Sequence, residues 1–341
     1  MTFRTERFSH IYIERDIQND PAVHSLLERF PDAHVIPVEQ YHDVFSRPRQ
    51  RYTAQKNARS LILARRHGTL LYPGAPVCHS FDHRHFYYTS PALNCLADCE
   101  YCWLKGMYAT ANPVIFLNEP EEYLHAAQDV SQARNNEPVF VSFTYETDLF
   151  PLEPLTGFLS RLAKQLPDYP EVTAEIRTKC AAPQIIRSLP HAANLILAFT
   201  LSPREMIARY EHGTSPLELR LAAANTALDA GFPVRFCFDP MILFPGWRKA
   251  YESMLGEIAD TVDLSRITDF SIGSYRQSDQ YQKRMRRRFP DSAVIQYPYE
   301  VHNGYCMYPA ELREELEEGF RTQLSAFVNP DRIFLLEEER L

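Results

Sequence analysis

Three of the chain's seven cysteines fall close together, at Cys95, Cys99 and Cys102, in the order Cys-x3-Cys-x2-Cys with Tyr101 just before the third. Iron–sulfur clusters are ligated by cysteine thiolates at short spacing, and three thiolates on one tight loop can hold three irons of a 4Fe-4S cubane. The fourth iron is then left open. An open iron can chelate the amino and carboxylate groups of S-adenosylmethionine, and an electron from the reduced cluster then cleaves a carbon–sulfur bond. The product is a 5′-deoxyadenosyl radical that takes hydrogen from unactivated carbon. That chemistry belongs to the cofactor, and the protein supplies placement and exclusion of water. A zinc knot is the other reading of the same thiols, with Cys78, His79, His83 or His85 as fourth ligand. Zinc sites usually pair two short Cys-x-x-Cys knuckles, and this chain has no second one, which favours the cluster. Cys78, Cys180, Cys237 and Cys306 are isolated, and a lone cysteine is more often a small buried hydrophobe than a reactive group. Cys237, in an expected buried strand, fits that description best.

A reactive loop of this kind needs a scaffold. From residue 90 onward, β-rich runs at 139–143, 172–176, 195–199, 234–238 and 268–272 alternate with helical patterns such as 155–166. Parallel neighbours cannot be joined by a tight turn, so the alternation predicts parallel strands with crossover helices, an α/β barrel or part of one. The first 90 residues read as a mixed α/β lead-in, with a strand at 10–13 and a helix through Val23, Leu26, Leu27 and Phe30. A basic stretch follows, in which Arg47, Arg49, Arg51, Lys56, Arg59, Arg65 and Arg66 interleave with Leu61, Ile62 and Leu63. It is expected to form a solvated helix face and a strand edge. Near the C-terminus, the tyrosine-rich segment 297–308 carries Asn303-Gly304 as a hairpin turn signal. A helix through Leu312, Leu316 and Phe320 then closes the chain. The expected division is 1–88 for the lead-in, 89–290 for the barrel and 291–341 for the hairpin and helix.

Bulk composition narrows the class. The 341 residues are 45% hydrophobic and 23% charged, ordinary for a globular protein, and no apolar run approaches the roughly 18 residues of a membrane span. Residues 1–7 do not lead into the apolar core of a signal peptide. Clustered thiols in a chain of this length suit metal ligation in a reducing compartment better than a disulfide framework, so a cytoplasmic protein is expected. The net charge of −8 argues against a surface built throughout for the phosphate backbone, while leaving room for a local basic patch.

The cysteine loop is similar to the signature of radical S-adenosylmethionine enzymes, and further segments resemble the spore photoproduct lyase family. They are Tyr101-Cys102-Trp103-Leu104-Lys105, Ile176-Arg177-Thr178-Lys179, and Ser202-Pro203-Arg204-Glu205 leading to Glu211-His212-Gly213-Thr214-Ser215-Pro216-Leu217. Ala230-Gly231-Phe232-Pro233, Pro245-Gly246-Trp247 with Tyr251, Ser274-Tyr275-Arg276, Arg288-Phe289-Pro290 and Lys56-Asn57-Ala58-Arg59-Ser60 extend the likeness over nearly the whole chain. The resemblance implies a partial (β/α)6 TIM-like radical SAM barrel with the cluster and S-adenosylmethionine at the C-terminal ends of its strands. It also implies a carbon–carbon lyase that repairs a thymine–thymine adduct in DNA. In that activity the adenosyl radical takes a hydrogen from the lesion, the pair splits, and a protein thiol returns a hydrogen atom. DNA or a nucleotide-like substrate and a flavodoxin- or ferredoxin-type electron donor are the implied partners.

Carried over by motif, Cys95, Cys99 and Cys102 hold the cluster, the Tyr101 backbone lies against the adenine, and Lys179 holds the S-adenosylmethionine carboxylate. Ser142 and Ser202 contact its amino-acid or ribose portion. Two departures stand out. Lyases of the family carry the donor cysteine in a Ser-Cys-Thr-Ser-Asp context, where this chain reads Ser142-Phe143-Thr144-Tyr145-Glu146-Thr147-Asp148. The tyrosine that follows the third cluster cysteine in those lyases is replaced by Trp103. Tyr145 and Trp103 are therefore the candidate catalytic pair, with Cys180, Cys237 or Cys306 as alternative thiols. The family's substrate hairpin is rich in lysine and arginine, whereas residues 297–308 carry aromatics for stacking and no basic residue. The run Lys283-Arg284-Met285-Arg286-Arg287-Arg288 could compensate, although such a run on a helix is usually a solvated face. Radical chemistry on a small molecule or peptide, and a zinc-stabilised nucleic-acid-binding module without catalysis, remain the rival readings.

Overall fold

The computed structural model describes residues 8–336, so residues 1–7 read above lie outside the described residues. Strands covered by helices on both faces read as unbroken apolar runs rather than alternating ones. Val139–Ser142, Leu195–Thr200 and Asp269–Ser274 are buried at every position, as that rule requires. They belong to an eight-stranded sheet in the order Ile333–Leu335, Asp269–Ser274, Val234–Met241, Leu195–Thr200, Val172–Thr178, Val139–Ser142, Phe86–Tyr88 and Tyr72–Pro73. Every ladder is parallel except the one between the last two strands. Crossover helices such as Phe158–Gln165, Leu217–Asp229 and Trp247–Thr261 return the chain between neighbours. The expected partial barrel is present, with two more strands at one edge and one at the other than the six-strand motif.

A second sheet packs beside it in the order His34–Val38, His10–Glu14, Leu61–Ala64, Val114–Phe116 and Ala92–Leu93. Sheet membership crosses the expected boundary at residue 88: Tyr72–Pro73 and Phe86–Tyr88 join the large sheet, while Ala92–Leu93 and Val114–Phe116 join the small one. Leu61–Ala64 is a fully buried central strand and not the solvated edge expected from its basic surroundings. Arg47, Arg49 and Arg51 are exposed as anticipated, but Lys56 is half-buried and Arg59 buried. The hairpin of Glu300–His302 and Tyr305–Met307 turns at Asn303 and Gly304, both at positive φ, and the helix Ala310–Leu324 follows. Among the described residues, no helix is long and apolar enough to cross a membrane.

The barrel interior holds charge. Arg235, 1% exposed, sits on a central strand with its guanidinium shared between Asp269 and Glu175; its Nη1 donates to Glu175 Oε2 at 2.5 Å and its Nη2 to Asp269 Oδ2 at 2.8 Å. The three residues come from three neighbouring strands, so the ion network fixes their register from inside. Removing the cation alone would strand two carboxylates out of water. Arg235→Met is expected to destabilise the fold by about 3–5 kcal/mol. Urea unfolding followed by circular dichroism checks this, and an unchanged midpoint would show the network to be dispensable.

Candidate active site

A cavity of about 680 Å³ opens at the C-terminal ends of the parallel strands, where barrels of this kind build their sites. Ser142, Thr144 and Tyr145 reach it from the end of one strand, Arg177 and Lys179 from the next, Thr200 from a third and Asp239 from a fourth. Cys95, Cys99, Tyr101, Cys102 and Trp103 line the same cavity. All but one of the site residues expected from sequence are thus brought together. Ser202 does not line the cavity: it is buried, and its hydroxyl donates to Glu211 Oε1 at 2.8 Å. That carboxylate also accepts from Tyr101 Oη and from Arg220, both at 2.5 Å, so Ser202 and Tyr101 are tied through one buried acid.

The cysteine loop has little regular structure of its own. Asp98–Cys99 pairs with Glu211–His212 in a two-stranded antiparallel ladder, and Glu100 N–H donates to Tyr210 O at 2.8 Å. Gly213, at φ +78°, is the turn that lets this arm lie against Ala97. Cations hold the remaining carbonyls: Lys56 Nζ donates to Ala97 O at 3.0 Å, Arg59 Nη1 to Leu96 O at 2.6 Å, and Lys105 Nζ to Asp98 O at 3.4 Å. Both lysines also pair with the Asp98 carboxylate, at 3.3 and 2.8 Å. Behind the third cysteine, the short helix Leu104–Met107 packs on Asp279–Arg288 so closely that a Cβ on Gly106 would meet Tyr281 Cβ at 2.5 Å. Arg284 donates there to Gly106 O at 3.2 Å, and Arg288 to Lys105 O and Tyr108 O. The basic run 283–288 is therefore not simply a solvated face, since Arg284, Arg286 and Arg288 spend donors on internal carbonyls.

The donor set suits a cluster. Among the described residues, no three His, Cys, Asp or Glu side chains converge closely enough for a single ion, and Cys78, His79, His83 and His85 share no such point with the triad. A cubane differs from a lone ion in that each thiolate meets a different iron, so its ligands stand apart around one space. Burial pushes the Cys95 thiol up to about 11 and Cys99 well above its ordinary value, so ionisation here calls for a metal's positive charge. Lys179 stands close by with its Nζ 5.7 Å from the Tyr101 ring centroid and, among the described residues, no carboxylate within ion-pair distance. It can meet an anionic group on a ligand.

The opposite wall holds residues that the sequence reading missed. Cys78 lines the cavity with its Sγ 3.9 Å from Tyr145 Oη. Tyr145 stacks on Tyr88 at 4.1 Å between ring centroids and lies 5.0 Å from Trp103. The thiols weighed from sequence lie elsewhere: Cys180, Cys237 and Cys306 are buried and none lines the cavity. Beside Cys78, Arg276 donates to both oxygens of Asp239, at 2.9 and 2.8 Å, and to Val77 O at 2.9 Å. This anchors the segment carrying Cys78 and His79 to the barrel. Cys78 and His79 carried no sequence signal beyond possible zinc ligation, and Arg276 and Glu211 were visible only as parts of longer motifs.

A thiol triad at the C-terminal mouth of a partial parallel α/β barrel is the arrangement of the radical S-adenosylmethionine class. A family model described as spore photoproduct lyase matches residues 80–308. The chain belongs to the spore photoproduct lyase family. Spore photoproduct lyase of Clostridium acetobutylicum is 23% identical over 243 residues, covering 69% of this chain and 72% of that protein. The Bacillus subtilis enzyme is 21% identical over 245 residues, with the same coverage. A solved spore photoproduct lyase variant with bound AdoMet and dinucleoside spore photoproduct superposes with a TM-score of 0.82 at 19% identity, covering 97% of this chain and 99% of that one.

The Arg276–Asp239 pair makes a pH-dependent contribution. Burial alone would raise the Asp239 carboxyl, but the paired guanidinium outweighs it and holds the group at about 2, below the ordinary 3.8. A depressed carboxyl stabilises the fold fully above its unfolded value and loses that contribution as pH falls toward the folded one. The stability gap between the natural chain and Arg276→Leu is therefore expected to be large at pH 7 and to shrink below pH 4. Urea midpoints at pH 7 and pH 3 measure it, and a gap that does not narrow would refute the assignment.

Proposed function

We propose that this chain is a radical S-adenosylmethionine lyase of the spore photoproduct type, acting on a thymine photoproduct in DNA or a related nucleobase. The observation that carries the reading is the opening of three cluster-type thiols and the unpaired Lys179 ammonium onto one strand-end cavity, in a chain of this family. Cys95, Cys99 and Cys102 would hold a 4Fe-4S cluster. Lys179 would take the carboxylate of S-adenosylmethionine, the Tyr101 backbone its adenine, and Ser142 its polar portion, with Ser202 acting through Glu211 to hold Tyr101. When bound, the two cofactors supply a 5′-deoxyadenosyl radical that removes a hydrogen atom from a substrate carbon. A flavodoxin- or ferredoxin-type protein would deliver the electron.

The chain must then return a hydrogen atom. Cys78 is the thiol that faces the cavity, and burial raises its pKa, which keeps it as S–H. Its S–H bond would break homolytically as the product C–H bond forms, leaving a thiyl radical on Cys78. Tyr145 Oη, 3.9 Å away, is placed to give its own hydrogen to that sulfur, and the ring stacks with Tyr88 beside Trp103. This reading moves the donor from the segment after Ser142 to a separate one and makes Tyr145 its partner.

A second reading, radical chemistry on a non-DNA small molecule or peptide, is supported by the hairpin and the helix beside it. The exposed strand Glu300–His302 carries no lysine or arginine, and three arginines of Asp279–Arg288 are engaged with carbonyls inside. Phosphate contacts would make turnover fall steeply with salt, whereas a small neutral substrate would leave it nearly unchanged.

Anaerobically purified protein is expected to contain iron and sulfide and, once reduced with S-adenosylmethionine, to release 5′-deoxyadenosine. Cys95→Ala, Cys99→Ala and Cys102→Ala should each abolish both, and zinc without iron or sulfide would instead support the binding-module reading. With lesion dinucleotide in deuterated buffer, the thymidylyl-thymidine product should carry deuterium, because a thiol hydrogen exchanges with solvent. Cys78→Ala should cut normal product by at least about tenfold while 5′-deoxyadenosine still forms, the size of loss typical when one proton- or hydrogen-transfer group is removed. Undiminished deuterated product from that variant would overturn the donor assignment.

A further inference from the structure

Two side-chain nitrogens in the cavity wall have no hydrogen-bond partner among the described residues: His79 Nε2 and Arg177 Nε. A buried polar nitrogen without a partner costs free energy unless something else fills the position, and native structures keep few of them. His79 is 6% exposed, and its Nε2 stops 3.6 Å from Asp239 Oδ2, beyond hydrogen-bond reach. Asp239 is meanwhile committed to the two bonds from Arg276. Arg177 spends Nη2 on Glu175 Oε1 at 3.3 Å and leaves its Nε unused. Both residues belong to the wall that also carries Cys78 and Tyr145, away from the cofactor thiols.

We infer that His79 and Arg177 form the subsite that reads the imide edge, the carbonyl and ring N–H, of a pyrimidine base in the substrate. This deepens the proposed function and rests on it. Arg177 Nε–H can only donate, which suits a carbonyl oxygen, whereas an imidazole nitrogen can donate to a second acceptor or, in the other tautomer, accept the ring N–H. Burial pulls the His79 pKa down to about 3, so the ring is neutral and keeps that choice at neutral pH. A phosphate oxygen presents the same acceptor chemistry, but the local charge favours the base. Glu146, Asp148, Glu175 and Asp239 all line the cavity, against Arg177, Arg276 and the Lys179 assigned to the cofactor. A neutral carbonyl enters such a wall at lower electrostatic cost than a phosphodiester.

The test measures equilibrium binding to cluster-loaded enzyme with S-adenosylmethionine and no reductant, so that no turnover occurs. Two ligands are compared: the dinucleoside photoproduct, which lacks the linking phosphate, and the dinucleotide, which has it. Arg177→Gln is expected to raise Kd for both by about tenfold or more, as loss of a charged hydrogen bond does. Arg177→Lys, which keeps the charge beside Glu175 but removes the Nε–H, and His79→Phe should weaken both ligands in parallel. Uncoupled 5′-deoxyadenosine formation by each variant should stay near that of the natural chain, which shows that fold and cofactor site are intact. Unchanged Kd values in the two Arg177 variants and in His79→Phe would overturn the subsite alone. A loss confined to the dinucleotide would overturn it in favour of phosphate recognition. If the natural chain binds neither ligand, the photoproduct reading fails and the subsite with it.

Discussion

Buried backbone carbonyls must be partnered, and the cysteine loop cannot partner its own. Leu96, Ala97 and Asp98 point their carbonyls at Arg59, Lys56 and Lys105, while the turn of helix after Cys102 gives its carbonyls to Arg284 and Arg288. The donors come from the lead-in, from the loop itself and from a helix nearly two hundred residues further on. This explains why sheet membership does not follow the order of the chain. The N-terminal sheet, the barrel and the helix Asp279–Arg288 are each needed to hold one loop. The same cations set positive charge around three thiols whose burial otherwise keeps them protonated, so one arrangement answers both the structural and the chemical need.

Burial and periodicity made most of the fold legible. Val139–Ser142 and Leu195–Thr200 are continuous apolar runs because helices cover both faces of the sheet, and such runs admit few alternatives when they recur between helical segments. Asn303-Gly304 marked its hairpin because a tight turn demands positive φ at both positions. The basic stretches were read less well. Lys56, Arg59, Arg284 and Arg288 look like solvated charge in sequence, and what internalises them is a set of carbonyls distant along the chain. Charge periodicity records which residues share a face and says nothing of which carbonyls wait opposite it.

The site was legible where the chemistry demands close spacing. Three thiols for one cubane must lie on one short loop, so Cys95, Cys99 and Cys102 announce themselves. Residues that meet only through the fold leave no such trace. Glu211 gathers Tyr101, Ser202 and Arg220, yet as a string of letters it is one acid beside a histidine. Ser202 likewise looked like a cofactor contact because its motif fixes its place along the chain, while its hydroxyl direction is set by that buried carboxylate.

Hydrogen return shows why position in sequence is a poor guide to position in a cavity. A radical on substrate carbon needs a weak X–H bond within contact distance, and it is indifferent to the strand that supplies it. In this chain Phe143 faces the core, its ring centroid 6.2 Å from Tyr123 and 6.3 Å from Phe158, so that residue packs the barrel against its helices. The opposite wall supplies a thiol instead, on a segment pinned to the barrel by the Arg276 bond to Val77 O. Tyr145 then extends from the end of Val139–Ser142 to meet it, held flat against Tyr88, whose strand pairs with the same Ser142. Loss of a motif cysteine and gain of a cavity-facing one are thus two sides of one geometric requirement, and a reading confined to the linear motif registers only the loss.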